Sequence, residues 1–114
     1  MTLSEKQRLF SKLLGQFLVW IYDNGYEVVG GDWHRLPAQA AVYASTGAGI
    51  LRTLHTICLA VDLSLFVAGV YQRETPPYTP LGEKWKSMHE LCRWGGDFQR
   101  PDGGHFSLEH EGVR

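Results

Sequence analysis

The sequence has few cysteines, no long apolar run and no excess of charge of one sign, and each absence excludes a class of protein. Its 114 residues include two cysteines, too few for a disulfide framework, so we expect Cys58 and Cys92 to be free thiols, at least partly buried. No apolar run reaches about 18 residues, which argues against a transmembrane helix. A formal net charge of −1 argues against a general nucleic-acid binder, since phosphate contacts need an excess of lysine and arginine.

The N-terminal segment also lacks the features of a secretory signal. Residues 1–6 include an acidic side chain, and no small-residue cleavage site follows an apolar core. We therefore expect the chain to begin in a cytoplasm. With 114 residues, 44% hydrophobic and 20% charged, there is room for one globular domain over residues 1–114, with one modest core and no second domain.

Hydrophobic periodicity predicts helices that enclose a small sheet. A long amphipathic helix is expected to begin at a capping box of Ser4 and Gln7 and to end near Asn24-Gly25. The sequence further predicts a strand at 26–30, a helix from Pro37 to about Thr46, a flexible loop at 46–49, a strand at 59–66, a turn at 68–69, a helix at 81–91 and a strand at 105–108.

The sharpest alternation lies in the predicted strand at 59–66. One face carries Leu59, Val61, Leu63 and Leu65, and the other carries Ala60, Asp62, Ser64 and Phe66. The apolar face should pack on the helices, with Asp62 projecting from the opposite face. In the strand at 105–108, His105 and Ser107 share one face. If the two strands are neighbours, His105 and Asp62 can face the same side of the sheet.

Two imidazoles and a carboxylate therefore become candidate metal ligands. His55, Asp62 and His105 would leave a fourth position for water, which distinguishes a catalytic zinc site from a structural one. Asp102, three residues before His105, is a spare carboxylate that could take the proton of that water. The pattern favours a metal-dependent hydrolase.

Plainer interpretations remain open for these residues. Asp62 could instead form a buried ion pair with Arg35 or Arg52, although a metal relieves the cost of an unpaired carboxylate on an apolar strand more directly. Asp102 lies in the turn sequence Pro-Asp-Gly-Gly, where aspartate often forms local hydrogen bonds. The remaining histidines are weaker candidates, because His34, His89 and His110 lack partners at ligand spacing, and the tail around His110 should be frayed. The tryptophans are expected to be core residues or cleft walls: Trp33, Trp85 and Trp94.

These segments resemble the zinc peptidases of the D-alanyl-D-alanine carboxypeptidase type, and most closely the small bacteriophage branch that includes L-alanyl-D-glutamate peptidase endolysins. The family motif is Ser-x-His-x-x-Gly-x-Ala-x-Asp followed by a distal [Glu/Asp]-x-x-His. The resemblance runs from about residue 30 to residue 109 and rests on His55, Leu59-Ala-Val-Asp-Leu63, Leu65-Phe66, Tyr78-Thr-Pro-Leu-Gly82, Trp85, Trp94-Gly-Gly-Asp-Phe98 and Asp102-Gly-Gly-His-Phe106.

The resemblance implies a fold and a role for each matching residue. The fold would be the α+β fold of D-alanyl-D-alanine carboxypeptidases and Hedgehog-like domains, a small antiparallel sheet that carries the zinc site and packs with helices. His55, Asp62 and His105 match the zinc ligands, and Asp102 matches the catalytic acid/base. Arg35 falls where the family often has an arginine near the substrate carbonyl.

Two positions depart from the family motif. Thr53 stands in place of the motif serine and keeps a hydroxyl that could bind substrate. Cys58 stands in place of the motif glycine and removes its backbone freedom. A thiolate ligand at Cys58 is not expected, because Asp62 already completes the triad. The loop at 46–52 also lacks the lysine and asparagine expected in phage relatives.

The function implied is that of a Zn²⁺-dependent peptidase acting on the peptide stems of peptidoglycan. Such an endolysin would be a monomer that waits in the host cytoplasm for a membrane lesion and then acts on the periplasmic wall, without inserting into the membrane or binding nucleic acid. The bond cut could be L-Ala–D-Glu, D-Ala–D-Ala or a cross-bridge. The alternatives are a catalytically idle wall- or partner-binding module of the same fold, and a non-haem iron oxygenase, whose usual close His-x-Asp spacing is absent.

Overall fold

The computed structural model describes residues 1–47, 49 and 53–114. Helices and strands alternate irregularly along the chain, in the order α1 (Leu3–Asp23), β1 (Glu27–Gly30), α2 (Pro37–Thr46), β2 (Ala60–Val67), β3 (Val70–Tyr71), α3 (Thr79–Met88), β4 (Cys92–Trp94) and β5 (His105–Leu108). Short 3₁₀ turns lie at Leu54–Ile57, Pro76–Tyr78 and Gly95–Asp97. Ala48, within the predicted loop at 46–49, and Arg52 lie outside the described residues.

The strands form one antiparallel sheet in the order β1-β2-β5-β4, and β3 pairs with the end of β2 on the side opposite to β1. This arrangement confirms the predicted α+β class with a small antiparallel sheet. The turn between β2 and β3 uses Ala68 (φ 50°) and Gly69 (φ 78°). Two consecutive left-handed residues are typical of the type I′ turn that closes a tight hairpin.

Helix α1 begins earlier than predicted because a different capping box forms. The side chain of Thr2 accepts a hydrogen bond from the amide of Glu5 at 3.1 Å, and the Glu5 carboxylate accepts one from the amide of Thr2 at 2.9 Å. The predicted box of Ser4 and Gln7 is therefore wrong, because Thr2 and Glu5 have the same spacing and a charged acceptor suits a helix N-terminus. The predicted end holds, since Asn24 is the C-cap.

Helix α3 ends three residues before the predicted Leu91. His89 is extended (φ −163°, ψ 151°), and its Nδ1 accepts a hydrogen bond from the amide of Leu91 at 3.1 Å. This turn directs the chain into β4, a strand that the periodicity did not predict. β4 lies along β5, with Trp94 opposite Phe106.

The core lies between one face of the sheet and helices α1 and α3. Leu59, Val61, Leu63 and Leu65 are all at most 4% exposed, as the alternation predicted. The helices contribute aromatic rings: Phe17 of α1 lies 5.0 Å from Phe106 and 5.2 Å from Trp85 of α3, between ring centroids. The opposite face of β2 and β5 carries Asp62 and His105.

Both cysteines are free thiols, as expected. Cys92 is buried in the core, and burial raises the pKa of its thiol to about 12, so it stays protonated at neutral pH. Trp85 and Trp94 are buried, whereas Trp33 is 42% exposed and packs edge-on against Phe10. None of the helices in the described part of the chain has the length and apolar character needed to cross a membrane.

The C-terminal tail is folded, which corrects the expectation that it is frayed. His110 and Val113 form an antiparallel bridge with reciprocal backbone hydrogen bonds of 2.9 Å. His110 Nδ1 also lies 3.1 Å from Nζ of Lys6 on α1. This turn carries the last residues of the chain back towards the sheet.

Candidate metal centre

The three predicted ligands converge beside the sheet. Asp62 of β2 and His105 of β5 are directly paired across the two strands, and His55 comes from the 3₁₀ turn that precedes β2. Nε2 of His55 lies 3.4 Å from Oδ1 of Asp62, and Nδ1 of His105 lies 3.8 Å from the same oxygen. One ligand atom from each of the three residues lies within 4.8 Å of the others.

These separations suit a shared cation. Two ligand atoms bound at about 2.1 Å to one tetrahedral zinc ion lie about 3.4 Å apart. Direct hydrogen bonds between the same groups would be shorter, at about 2.7–3.2 Å. Two imidazoles and one carboxylate are also a donor set that catalytic zinc uses. The residues therefore fit a zinc ion, which Nε2 of His55, Nδ1 of His105 and Oδ1 of Asp62 could hold.

Ring packing holds the two imidazoles. The centroids of the His55 and His105 rings lie 5.4 Å apart in an edge-on arrangement, and the Phe98 ring lies 5.3 Å from His105. The outward nitrogens, Nδ1 of His55 and Nε2 of His105, are buried and have no hydrogen-bond partner among the described residues. Ring packing is therefore one contact that orients each imidazole.

The turn that carries His55 begins at a capping residue, Thr53, and ends at a left-handed residue, Cys58. The hydroxyl of Thr53 accepts a hydrogen bond from the amide of His55 at 3.4 Å, which caps the start of the turn. Cys58 ends it with φ 55° and ψ 41°, in the left-handed region. A residue with a Cβ is disfavoured there by about 1–2 kcal/mol. The structure therefore requires at Cys58 the conformation that the motif glycine adopts without strain.

The loop before β5 places Asp102 next to His105. The carbonyl of Gly95 accepts a hydrogen bond from the amide of Asp102 at 2.9 Å, and the amide of His105 bonds the Asp102 carbonyl at 3.2 Å. A Cβ at Gly95 would collide with the Asp102 carbonyl oxygen. The backbone of the Trp-Gly-Gly segment therefore lies in direct contact with the loop that carries Asp102 and leads to His105.

Trp94 secures this loop through its indole. Its Nε1 donates a hydrogen bond to the carbonyl of Gly103 at 2.8 Å. The ring lies so close to Gly82 and Gly96 that a Cβ at either position would overlap it. This contact explains why glycines at both positions accompany the tryptophan.

The two carboxylates in the site have opposite pKa shifts. Burial alone would raise the pKa of Asp62, but interactions with His105 and His55 outweigh burial and hold it well below its usual value. The pKa of Asp102 is raised, first by loss of hydration against the cleft walls and then by the charge of Asp62; His105, His55 and a backbone hydrogen bond oppose the shift. Asp62 is thus ionised and suited to bind a cation, whereas Asp102 is the more basic carboxylate.

Arg35 lies beside the cluster and is held by several contacts. Its guanidinium lies 3.1 Å from Asp32 and 3.7 Å from Asp62, and it stacks over the Tyr43 ring at 4.8 Å. Its amide donates to the carbonyl of His55 at 2.8 Å. The alternative ion pair of Asp62 with Arg35 therefore exists alongside the histidine contacts, but the nearer carboxylate partner of Arg35 is Asp32.

Asp32 is a residue that the sequence analysis missed. Its carbonyl also accepts a hydrogen bond from the amide of Asp62 at 3.1 Å, so it contacts both Arg35 and the ligand strand. An acidic residue three positions before an arginine in a loop is a weak signal that could have indicated this ion pair. The other possible partner of Asp62, Arg52, lies outside the described residues.

The site opens into a cleft of about 820 Å³. Its walls include every predicted site residue, together with Gln99, Arg100 and the last three residues of the tail. His34, His89 and His110 are not part of the ligand cluster, in agreement with their lack of partners at ligand spacing. The predicted residues that the structure brings together in this cleft are Arg35, Thr53, His55, Asp62, Asp102 and His105.

No family model matches the chain, and neither does any curated protein. Among solved structures, the chain is similar to the L-Ala D-Glu endopeptidase ChiX of Serratia marcescens, with a TM-score of 0.64 and 25% sequence identity. The match covers 72% of this chain and 66% of that chain, so it spans slightly less than two thirds of the endopeptidase. The α+β fold is thus one that a peptidase also adopts.

Proposed function

We propose that this chain is a zinc-dependent peptidase that cuts the peptide stems of bacterial peptidoglycan, and that it belongs to the phage endolysin branch of the D-alanyl-D-alanine carboxypeptidase type. The observation that carries the proposal is the His55, Asp62 and His105 cluster at the base of an open cleft. The similarity to an L-Ala D-Glu endopeptidase supports the substrate class.

Each predicted site residue has a role in this proposal. A zinc ion held by His55, Asp62 and His105 would act as a Lewis acid and lower the pKa of bound water toward about 7. Asp102, whose pKa is raised, accepts the proton of the attacking water and returns it to the leaving amine. The guanidinium of Arg35 faces the same space and stabilises negative charge that develops on the scissile carbonyl oxygen.

Thr53 contributes a hydroxyl at the cleft wall. Its oxygen already accepts a hydrogen bond from the amide of His55, and a hydroxyl can donate as well as accept. We assign it a hydrogen bond from the hydroxyl to the substrate backbone. The protein would act as a monomer that reaches the periplasmic wall from the host cytoplasm through a membrane lesion.

The direct test is a turnover assay on purified Gram-negative sacculi. The protein should release free amino groups without releasing reducing sugar ends, because a peptidase cuts the stems and leaves the glycan intact. A chelator should abolish the release and added zinc should restore it. His105→Ala should be inactive, and His34→Ala, a histidine outside the ligand cluster, should retain activity.

Other outcomes would redirect the assignment. Release of reducing ends would indicate a glycosidase. Absence of either product from several wall chemotypes would favour the idle binding module, and purification with iron instead of zinc would favour the oxygenase. Mass spectrometry of the released fragments would identify which stem bond is cut.

A further inference from the structure

We propose that Asp32 is a positioning residue of the candidate metal centre: its carboxylate holds the guanidinium of Arg35 and so keeps Arg35 from competing with a metal ion for Asp62. This inference rests on the proposed function, and within it on the zinc site. It adds a residue that acts through Arg35 rather than by binding the metal itself. Asp32 lies in the loop that follows β1, three residues before Arg35.

Arg35 is buried and needs an anion beside it. The residue is 9% exposed, whereas the side chains of Asp32 and Asp62 are 40% and 39% exposed. Burial of a charge is costly unless an opposite charge and hydrogen bonds compensate for it. Both aspartates lie within 4 Å of the guanidinium, so either carboxylate could neutralise it.

The guanidinium does not use the two carboxylates equally. Nε and Nη2 of Arg35 each lie 3.1 Å from Oδ2 of Asp32, which is hydrogen-bond distance. Nη2 lies 3.7 Å from Oδ2 of Asp62, which is too far for a hydrogen bond. The other oxygen of Asp62, Oδ1, is the one that lies near the two histidines. Asp32 therefore takes the hydrogen bonds of the guanidinium and leaves Asp62 available to a metal.

Aromatic packing fixes another side of the guanidinium. Its central carbon lies 4.8 Å from the centroid of the Tyr43 ring, and the hydroxyl of Tyr43 accepts a hydrogen bond from Nε2 of Gln39 at 2.7 Å. A Cβ at Gly49 would lie 3.4 Å from Nη1 of Arg35, so this part of the loop is also close. With these neighbours in place, a small movement of Arg35 toward Asp62 would replace the pair with Asp32.

Backbone hydrogen bonds hold this segment without help from the Asp32 carboxylate. The amide of Asp62 donates to the carbonyl of Asp32 at 3.1 Å, and the amide of Gly31 donates to the carbonyl of Asp62 at 2.7 Å. The amide of Arg35 donates to the carbonyl of His55 at 2.8 Å. Asp32→Asn has nearly the same shape as the wild type, so it should remove the charge and leave the segment folded.

Loss of that charge should affect the metal through Arg35. A guanidinium that forms paired hydrogen bonds with a carboxylate occupies both of its oxygens, and it brings a positive charge close to the site of a divalent cation. Removal of a group that holds a metal ligand in place typically lowers metal affinity by about 10–100-fold. The effect of Asp32 should therefore disappear when Arg35 is absent.

The test is a double-mutant cycle on zinc affinity, measured by competition with a chromogenic chelator. Asp32→Asn should bind zinc at least about tenfold more weakly than the wild type. Arg35→Gln should bind it at least as tightly as the wild type, because a competing cation is gone. The double variant should match Arg35→Gln alone. Asp32→Glu should keep most of the affinity, since its carboxylate can still pair with Arg35.

The matched control breaks another arginine–carboxylate pair. Nε of Arg93 on β4 lies 3.3 Å from Oε1 of Glu109, at the edge of the sheet opposite to β1. Glu109→Gln should leave zinc affinity unchanged. Circular dichroism of every variant would verify that the fold is kept.

Turnover on sacculi with zinc in excess provides a second cycle. Asp32→Asn should be slower than the wild type because Arg35 is displaced from the position proposed for it beside the scissile carbonyl. The double variant should be no slower than Arg35→Gln, since the two changes remove the same interaction.

The outcomes separate this inference from the proposed function. An equal loss of zinc affinity from Asp32→Asn with and without Arg35 would overturn the positioning role, and so would unchanged affinity in Asp32→Asn or no zinc binding by the wild type. The expected zinc cycle without hydrolysis of sacculi would keep the positioning role and remove the peptidase. Hydrolysis by the wild type with additive effects on zinc affinity would keep the peptidase and remove the positioning role.

Discussion

Neighbouring residues of the paired strands β2 and β5 point to opposite faces of the sheet, and the two faces have different environments. On one face Leu63 and Phe106 are at most 4% exposed and pack into the aromatic core between α1 and α3. On the other face, Asp62 and His105 lie opposite each other at the base of the cleft. Because side chains alternate along a strand, stability and chemistry can be altered at adjacent positions with little effect on each other.

The largest difference between the two faces is expected when a proposed metal ligand on the cleft face is removed. His55→Ala, Asp62→Ala and His105→Ala should each lose the metal, whereas the wild-type chain should bind about one zinc ion. Their far-ultraviolet circular dichroism should match that of the metal-free wild type, because the core face is untouched. Metal analysis after gel filtration would check this, and full zinc retention in any two of the three variants would remove the proposed triad.

A second change on the cleft side separates metal binding from proton transfer. Asp102→Asn should keep both zinc and fold but lose about 10²–10⁴-fold in turnover, because an amide cannot accept the proton of water. Asp23→Asn, an exposed aspartate at the end of α1, is the matched control and should be unaffected. If Asp102→Asn hydrolysed sacculi at the wild-type rate, Asp102 would be only a turn residue.

Two adjacent residues of β2, one on each face, test the contribution of the core face to stability. Leu65 is fully buried, so Leu65→Ala should lower the free energy of unfolding by about 2–5 kcal/mol. Ser64 lies on the other face and is partly exposed, and Ser64→Ala should change that energy by about 0.5 kcal/mol or less. Urea denaturation would measure both. A similar loss in the two variants would contradict the assignment of faces.

Local patterns were enough to predict the two faces of β2, whereas the convergence of the ligands also required β2 and β5 to be neighbours. The alternation at 59–66 separated Asp62 from its leucine neighbours, and the structure places His105 directly opposite Asp62. The faces depend on the period of two in a strand, which is a property of neighbouring residues, but the pairing of β2 with β5 joins distant segments. The helix boundaries Pro37 and Thr46 likewise follow from local signals.

Features that depend on distant contacts could not be predicted in this way. β4 is stabilised by its pairing with β5, far along the chain, and its three residues are too few to show a period. The tail is ordered by the His110–Val113 bridge and by Lys6 of α1, and neither contact leaves a pattern in the sequence.

The smallest expected effect of the substitutions that target the site concerns Cys58, which ends the turn that carries His55. Cys58 has a left-handed conformation, which costs a residue with a Cβ about 1–2 kcal/mol, while a glycine adds about 0.4–1 kcal/mol of unfolded-state entropy to be lost. Cys58→Gly should therefore raise the free energy of unfolding by up to about 1.5 kcal/mol and leave zinc bound. Cys58→Val should lower it, because a β-branched residue is especially disfavoured at positive φ.

Chemical denaturation and metal analysis of the two Cys58 variants would check both expectations, with the exposed Ser45→Gly on α2 as a control in which a new glycine should lower stability. Loss of zinc in Cys58→Gly with the fold intact would mean that the sulfur is a ligand and that the triad is incomplete. Equal stability of the Gly and Val variants would mean that the backbone at this position relaxes out of the left-handed region. The glycine of the family motif would then not be required by the geometry of the turn that carries His55.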